Sequence, residues 1–507
     1  MGTRWKTLLL GAVSAALVLP GAASAAAPQP IVHGNVIVDA ATSKRFVPRG
    51  VNFPGFEYAC QQGWGYGADG TAPEEVASTV SAMASWKINA VRLPLNQDCW
   101  LGEDGLPGGE LTAAGYRDSV EAFTEALGAA GMVAILDLHW TGHEGLVADG
   151  LRPMPDGRSP AFWRSVAQRF RENRSVIFDL FNEPHSRWNP DGTNVFELSW
   201  ACWAGGGCQV PAEIDTAPSS GSSWYEATGL STLVDAVRSV GAGQPIVLSG
   251  IDYANDLRGW SDHAPTDGQL IAGFHNYPGQ RCRTVACWDH EIAPLAERVP
   301  VLTAEVGQND CGAPDHVERY LNWADERSIG YLGWAWWALP ELGCGNFALI
   351  SDLDGTPLAP VGTLLHDHLA DLARAPDQPD PDPEEPDRPD SGRPTAVGPR
   401  ESVAVKRRRS GLRIRRVRWK RPVLRVKVGV SPKASFGVDV GVRLANGRRL
   451  SRLVPIRSGV GRLTLRVPRR TAPRMVVASY PGDQRLRPAK RRTRVTVSSL
   501  TRPSRHP

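Results

Sequence analysis

Between residues 46 and 337 the chain repeats one pattern: a short apolar run, followed in most cases by a longer stretch with helical apolar spacing. Eight such runs cover 46–52, 88–93, 132–139, 176–182, 245–249, 270–275, 301–305 and 331–337. Continuous apolar runs of this length suit strands buried on both faces. Helical candidates lie at 73–87, 113–130, 159–171, 223–240, 290–298 and 314–327, whereas 250–269 is only weakly helical. Pro73 suits a first helical turn, and Gly131 and Gly241 suit helix ends. Parallel strands need crossovers of this kind, so the pattern predicts an α/β fold, a closed (β/α)8 or TIM barrel. The other arrangement, an open doubly wound sheet, normally carries a Gly-rich phosphate loop after an early strand. None follows 46–52 or 88–93.

Charge divides the chain. Residues 401–507 hold 31 Lys+Arg against three acids, Glu401, Asp439 and Asp483, a net of +28. The whole chain has 57 basic and 53 acidic residues, so 1–400 keeps 26 and 50, a net of −24. Two regions of such opposite balance do not read as one domain. Eight prolines among many acids in 376–399 form a hinge that cannot bury enough surface to fold and that proline holds extended. The expected domains are a barrel at 28–372, a Pro/Asp-rich linker at 373–400 and a small all-β, sandwich-like domain at 401–507. In the last, alternating stretches near Leu424 and Leu463 read as strands.

The N-terminus carries Arg4 and Lys6, an apolar run over 7–20 and Ala23-Ser24-Ala25, the marks of a cleaved signal peptide at 1–25. A retained anchor is the alternative, but the run is short for a bilayer. Eight cysteines, an even number without C-x-x-C spacing, suit an oxidising compartment. The expected location is therefore extracellular, secreted and in one variant held at the cell wall. Every cysteine follows a strand end. Barrel adjacency then suggests the pairs Cys60–Cys99, Cys202–Cys208, Cys282–Cys287 and Cys311–Cys344, one choice among many.

Active sites of such barrels form at the carboxyl ends of the strands. Read in order, those ends are Arg92, His139, Asn182 with Glu183, His275 with Tyr277, Glu305 and Trp337. Arg92 in Val-Arg-Leu-Pro, His139 in Asp-Leu-His-Trp, Phe-Asn-Glu-Pro at 181–184, His-Asn-Tyr at 275–277 and Thr-Ala-Glu-Val-Gly at 303–307 resemble glycoside hydrolase family 5. The likeness covers most of 45–365. It implies a retaining β-glycosidase of the cellulase–mannanase type, with Glu183 as acid/base and Glu305 as nucleophile. Trp337 resembles that family's sugar-stacking tryptophan, although Trp334 and Trp336 lie close by.

The chemistry of the residues agrees. Retaining hydrolysis needs two carboxyls about 5–5.5 Å apart, one attacking and one donating and then accepting a proton. The ends of strands four and seven face one another across a barrel. Arg92 and a hydrogen bond from Tyr277 favour a charged Glu305, and repulsion from that charge is expected to keep a proton on Glu183. Asn182 is placed for a sugar 2-hydroxyl, and His139 and His275 for orienting substrate or the glutamates. A metal held by His139, His143 and Glu144 is a rival, but the stretch lacks the H-E-x-x-H order, and no metal or cofactor is expected. Trp100, Trp140, Trp188, Trp200, Trp203, Trp260 and Trp288 follow strands and are candidates for stacking on pyranose rings or for packing under loops.

The expected function is hydrolysis of a polysaccharide or oligosaccharide by a monomeric endo-β-1,4-glucanase. A β-mannanase or another β-glucosidase or exoglucanase on the same barrel, and a non-catalytic carbohydrate-binding surface protein, are the alternatives. Residues 401–507 faintly resemble bacterial immunoglobulin-like repeats. Their charge suits an anionic cell-envelope polymer, or else serves only as a solvated spacer. Nucleic acid would satisfy the same electrostatics, but export argues against it.

Overall fold

The computed structural model describes residues 26–102, 111–143, 145–189, 192–215, 223–338 and 343–374, with stretches between 408 and 495. Contacts group the chain into two units, Met1–Pro383 and Glu384–Pro507. In the first, eight parallel strands close into a barrel: β1 (Arg49–Asn52), β2 (Ala90–Asn96), β3 (Val133–Trp140), β4 (Val176–Asp179), β5 (Ile246–Ser249), β6 (Leu270–Asn276), β7 (Val301–Val306) and β8 (Gly330–Gly333). Each strand pairs with the next in sequence, and β8 pairs with β1. The expected TIM barrel is therefore present, with every strand in the expected order.

Strand lengths differ in a way that bears on the site. The fourth and eighth runs leave the sheet early, at Asp179 and Gly333, so Asn182, Glu183, Trp334 and Trp337 sit on the chain beyond the ladder. The first strand starts late because Phe46 pairs instead with Ile37, its backbone N–H donating to the Ile37 carbonyl at 2.8 Å. Both side chains are buried in the apolar interior of the barrel, and Ile37 comes from a hairpin formed by Pro30–His33 and Val36–Asp39.

Helices α1 (Val76–Ser85), α2 (Ala113–Ala129), α3 (Ser159–Phe170), α4 (Leu230–Arg238), α5 (Asp315–Asp325) and α6 (Val361–Arg374) bury their apolar sides in the core that also holds Val91, Leu93, Leu136 and Phe274 from the strands. Thr112 begins α2 by accepting a hydrogen bond from the Gly115 N–H at 3.0 Å. Gly131 and Gly241, with φ of 83° and 79°, follow α2 and α4 in the left-handed conformation that glycine adopts without strain. One expected helix is corrected. Residues 224–228 form a strand, Trp224–Thr228, antiparallel to Gly206–Pro211, and α4 begins only at Leu230. The reason is period two: Tyr225 and Ala227 are buried beside Met154 and Val210 while Trp224 and Glu226 face out.

The cysteines join as Cys60–Cys99, Cys202–Cys208, Cys282–Cys287 and Cys311–Cys344, the pairs suggested by barrel adjacency. The first and last staple the loops after β1 and β2 and after β7 and β8. They close 39 and 33 residues, and loop entropy makes each worth about 3–4 kcal/mol.

The second unit is built from antiparallel strands: β9 (Arg413–Lys420), β10 (Val423–Gly429), β11 (Val438–Leu444), β12 (Arg449–Val454), β13 (Val460–Arg466), β14 (Pro473–Tyr480) and β15 (Ala489–Arg494). They form two sheets, β9-β10-β13 and β12-β11-β14-β15. Leu424, Val426 and Val428 from one sheet share a core with Val440, Val442, Val476 and Ala478 from the other, so the sheets face each other as a sandwich. In the constant-type immunoglobulin arrangement the fourth strand lies beside the fifth. Here it pairs with the third.

Candidate active site

The inward side chains of the barrel change from apolar to polar along the strands. Ala90, Ile135, Ile177, Ile271, Leu302 and Leu332 form an apolar interior cluster. Toward the carboxyl ends of the strands, Asn52, Arg92, Asp137, Asp179 and His275 are buried. On β2, β3 and β4 the change falls two residues on, at Ala90 to Arg92, Ile135 to Asp137 and Ile177 to Asp179, as the period of a strand requires.

Arg92 is the hub of this layer. Its Nε donates to Asp179 Oδ2 at 2.9 Å and its Nη1 to Asn52 Oδ1 at 3.0 Å and Glu305 Oε1 at 2.9 Å. Its Nη2 donates to Asn182 Oδ1 at 2.8 Å and lies 3.1 Å from Asp137 Oδ1. Burial alone would weaken the guanidinium charge, but Asp137, Asp179 and Glu305 more than offset it and raise its pKa. Burial pushes the Asp137 and Asp179 carboxyls up, opposed by Arg92. One cation thus holds three carboxyls in place.

Glu305 reaches the hub through an irregularity in β7. Phe274 pairs with Thr303 and His275 with Glu305, so Ala304 is an extra residue on this strand. Leu302 and Ala304 belong to the barrel interior, and Thr303 hydrogen-bonds Tyr320 of α5 on the outer side. Strict alternation would send Glu305 outward with Thr303. The bulge turns it inward, where Tyr277 donates its hydroxyl to Oε2 at 2.6 Å.

Opposite stands Glu183. His275 Nδ1 lies 2.8 Å from Glu183 Oε1 and 3.4 Å from Glu305 Oε2. One oxygen of each glutamate and a His275 ring nitrogen all lie within 4.8 Å of one another. The same three groups could ligate a cation, but both Glu305 oxygens already accept hydrogen bonds, one from a guanidinium. Burial pushes the Glu183 carboxyl up to about 8, against the pull of Arg92 and with repulsion from Asp215 and Asp137. Burial is the main cause, ahead of any charge repulsion. Burial also pushes His275 and His139 down to about 3, so both rings are neutral at pH 7. His139 Nδ1 is fixed by Asp137 Oδ2 at 2.6 Å.

Of the residues singled out, Arg92, Asn182, Glu183, His275, Tyr277 and Glu305 form one connected group, and His139 joins it through Asp137. Trp337 is half-buried, its indole edge-on to Trp334 at 6.2 Å. Trp334 is nearer the center: its ring stacks on His139 at 5.5 Å and 9°. Trp336 packs in the core against Trp86. Among the loop tryptophans, Trp100, Trp203, Trp260 and Trp288 are buried core residues, Trp200 packs edge-on against Trp203, and Trp188 is exposed. Exposed Trp64 had no signal in the strand pattern. His143 stacks on Tyr225 rather than joining His139, and Glu144 lies outside the described residues.

Asn52, Asp137 and Asp179 are polar residues not singled out from the sequence: Asn52 closes the first expected run, while Asp137 and Asp179 lie inside the expected runs 132–139 and 176–182, short of their ends. Their two-residue spacing from Gly50, His139 and Ile177 is the signal that finds them. Beneath Glu183, His185 Nδ1–H donates to the Glu183 backbone carbonyl at 2.7 Å, and its ring stacks on Tyr253 at 4.3 Å. Tyr253 sits in a run of three non-glycine residues, Asp252 to Ala254, with φ of 56–59°. Left-handed residues of this kind each cost about 1–2 kcal/mol, so the surrounding contacts hold this turn in place.

A closed parallel barrel with two opposed glutamates in a buried polar layer at its strand ends is the architecture of a glycoside hydrolase. The sequence profile of the cellulase family, glycosyl hydrolase family 5, matches residues 41–339, and the chain belongs to that family. It is 28% identical over 143 residues to the manganese dependent endoglucanase Eg5A of Phanerodontia chrysosporium, 27% of this chain and 34% of that protein. The chain thus spans about a third of the length of that relative. The β-glucanase SdGluc5_26A of Saccharophagus degradans superposes with a TM-score of 0.51 at 18% identity, over 69% of this chain and 94% of the other. Its complex with cellotetraose gives 0.50 at the same identity and coverage. At that identity the likeness is one of fold.

Proposed function

We propose that this glycoside hydrolase is an exported endo-β-1,4-glucanase that retains anomeric configuration, with Glu305 as nucleophile and Glu183 as acid/base. The observation that carries the mechanism is that one oxygen of each carboxyl lies within 4.8 Å of one of the other. Inverting enzymes need about 6.5–9.5 Å to admit a water beside the sugar. The choice of a cellulose-type glucan is supported by the endoglucanase and β-glucanase among its relatives. Four disulfides support an oxidising, extracellular destination.

In this reading Glu183, its carboxyl pushed up to about 8, enters the cycle protonated at neutral pH. It gives that proton to the glycosidic oxygen as the bond to the anomeric carbon breaks. Glu305 attacks the same carbon from the opposite face and forms an α-linked glycosyl ester. Oε1 is held by the Arg92 guanidinium, whereas Oε2 carries a neutral donor and faces His275 and Glu183. Oε2 is therefore the attacking atom. Glu183, now a carboxylate, takes a proton from water, the water oxygen bonds to carbon, and Glu305 leaves. Asn182, its amide oxygen taken by Arg92, offers its NH2 group to the sugar 2-hydroxyl. Trp334 and Trp337 provide flat faces for the ring.

Proton NMR of the first product tests the mechanism: release of the β-anomer before mutarotation is expected, and the α-anomer overturns both glutamate roles. Azide should partly rescue Glu183→Ala and yield a β-glycosyl azide. A panel of defined β-linked oligosaccharides tests the substrate, with cello-oligosaccharides expected ahead of manno-oligosaccharides.

A further inference from the structure

The outer face of one sheet in the sandwich concentrates charge of one sign. Strands β9, β10 and β13 contain no acidic residue. Leu424, Val426 and Val428 of β10 point into the core, and the alternate residues Arg425 and Lys427 stand on the other side. Arg416 of β9 pairs with Lys427, and Lys427 with Arg462 of β13, so three cations form a row straight across the sheet. Arg418 pairs with Arg425 in the adjacent row. Arg416, Arg425 and Arg462 are exposed and Lys427 is half-buried. Neighbouring strands lie about 4.8 Å apart and alternate residues about 6.8 Å apart along a strand. The face is a lattice of cations at that spacing.

Like charges directly opposed across strands destabilise a sheet. A surface serving only solubility intersperses both signs. Six of the seven charges at these positions and their neighbours Arg413, Arg415, Arg416, Arg418, Arg425, Lys427 and Arg462 are arginine, whose planar fork grips carboxylate oxygens in pairs. Trp419, on the same strand, packs against the core, so stacking on sugar rings is not what this face offers. We propose that the outer face of the β9-β10-β13 sheet binds a linear acidic polysaccharide, a polyuronate, through its repeated carboxylates. Attached by a Pro-rich spacer to a unit that cleaves neutral polysaccharide, such a face raises the enzyme's effective concentration where neutral and acidic polymers are mixed. This choice of partner, though not the charge of the face, rests on the hydrolase assignment.

The test uses the full-length protein and immobilised polygalacturonate, with double-stranded DNA immobilised at the same charge density as the comparison. Retention on polygalacturonate should fall steeply with added NaCl. The triple variant Arg416→Ser, Arg425→Ser, Arg462→Ser should bind about tenfold more weakly, since exposed ion pairs each contribute a few-fold. The charge-matched control Arg443→Ser, Arg474→Ser, Arg492→Ser, exposed on the other sheet, should lose less than threefold. Thermal melting of both variants shows whether the sandwich still folds. Equal losses in the two variants, or no loss in the first, overturn the assignment to this face. Tighter retention on DNA than on polygalacturonate overturns the polyuronate. Hydrolysis of cello-oligosaccharides, measured in parallel, should be unchanged in both, and failure of the glucanase reading would appear there and not in the retention.

Discussion

At the center of the barrel, charge is buried and balanced group by group; on the outer face of the β9-β10-β13 sheet it is exposed. Arg92 is fully buried and meets Asp137, Asp179 and Glu305 within hydrogen-bonding distance. Arg416, Arg425 and Arg462 have cations as their cross-strand neighbours or stand beside them. A buried charge without its partners costs several kcal/mol, which forces a precise arrangement that chemistry can use. An exposed charge costs little and holds nothing in place, which suits attachment to a polymer.

The largest effect should come from Glu305→Ala. Turnover should fall by about 10⁴-fold or more, while circular dichroism and melting temperature stay near those of the parent. Arg92 keeps Asp137 and Asp179 after that change, so loss of the fold would break the claim that the hub tolerates one missing acid. Arg92→Met removes the shared cation instead. It should cost about 3–5 kcal/mol in denaturant unfolding, whereas Arg425→Met should cost at most about 0.5 kcal/mol. Similar costs at the two positions would erase the contrast between the regions.

A pH experiment sharpens it further. The Glu183 carboxyl rises from 4.5 to about 8 on folding, so kcat/KM should decline above pH 8 as the acid loses its proton. The folded state holds that proton more tightly than the unfolded chain. Stability should therefore be least affected below pH 4.5, fall between 4.5 and 8, and carry the full penalty above 8. Glu183→Gln should remove the penalty and raise the melting temperature more at pH 9 than at pH 4. An unchanged difference at the two pH values would show that burial does not hold the proton on Glu183. The smallest effect should follow ending the chain near Ala375. Turnover on soluble cello-oligosaccharides should stay within about twofold, because Arg92, His275 and Tyr277, which contact Glu183 and Glu305, all precede residue 375, while retention on polygalacturonate should be lost.

Much of this molecule is legible in one dimension. Strands buried on both faces must be short apolar runs, and parallel strands must be spaced by crossovers, so eight repeats leave few topologies besides a barrel. Closure then makes loops neighbours in a known order, which is why Cys60–Cys99 and Cys311–Cys344 follow from chain position. Arg92, Glu183, His275, Tyr277 and Glu305 stand out because charged and polar groups directly after apolar runs need a reason to be there.

What the tertiary structure alone decided depends on contacts between distant residues. Period two says that Glu305 should share a side with Thr303, and only the pairing of β7 with β6 reveals the extra residue, Ala304, that turns it to the mouth. Residues 224–228 have apolar spacing open to either a helix or a strand, and the partner strand at 206–211 settles it. Indole has the same hydrophobicity in a core as in a cleft, so Trp203 and Trp334 cannot be told apart until packing buries one and leaves the other beside His139. Likewise the proton on Glu183 comes chiefly from burial, a property of the enclosed site rather than of any residue near it in sequence. Local spacing sets which element a residue belongs to, but direction and dielectric are set by what packs around it.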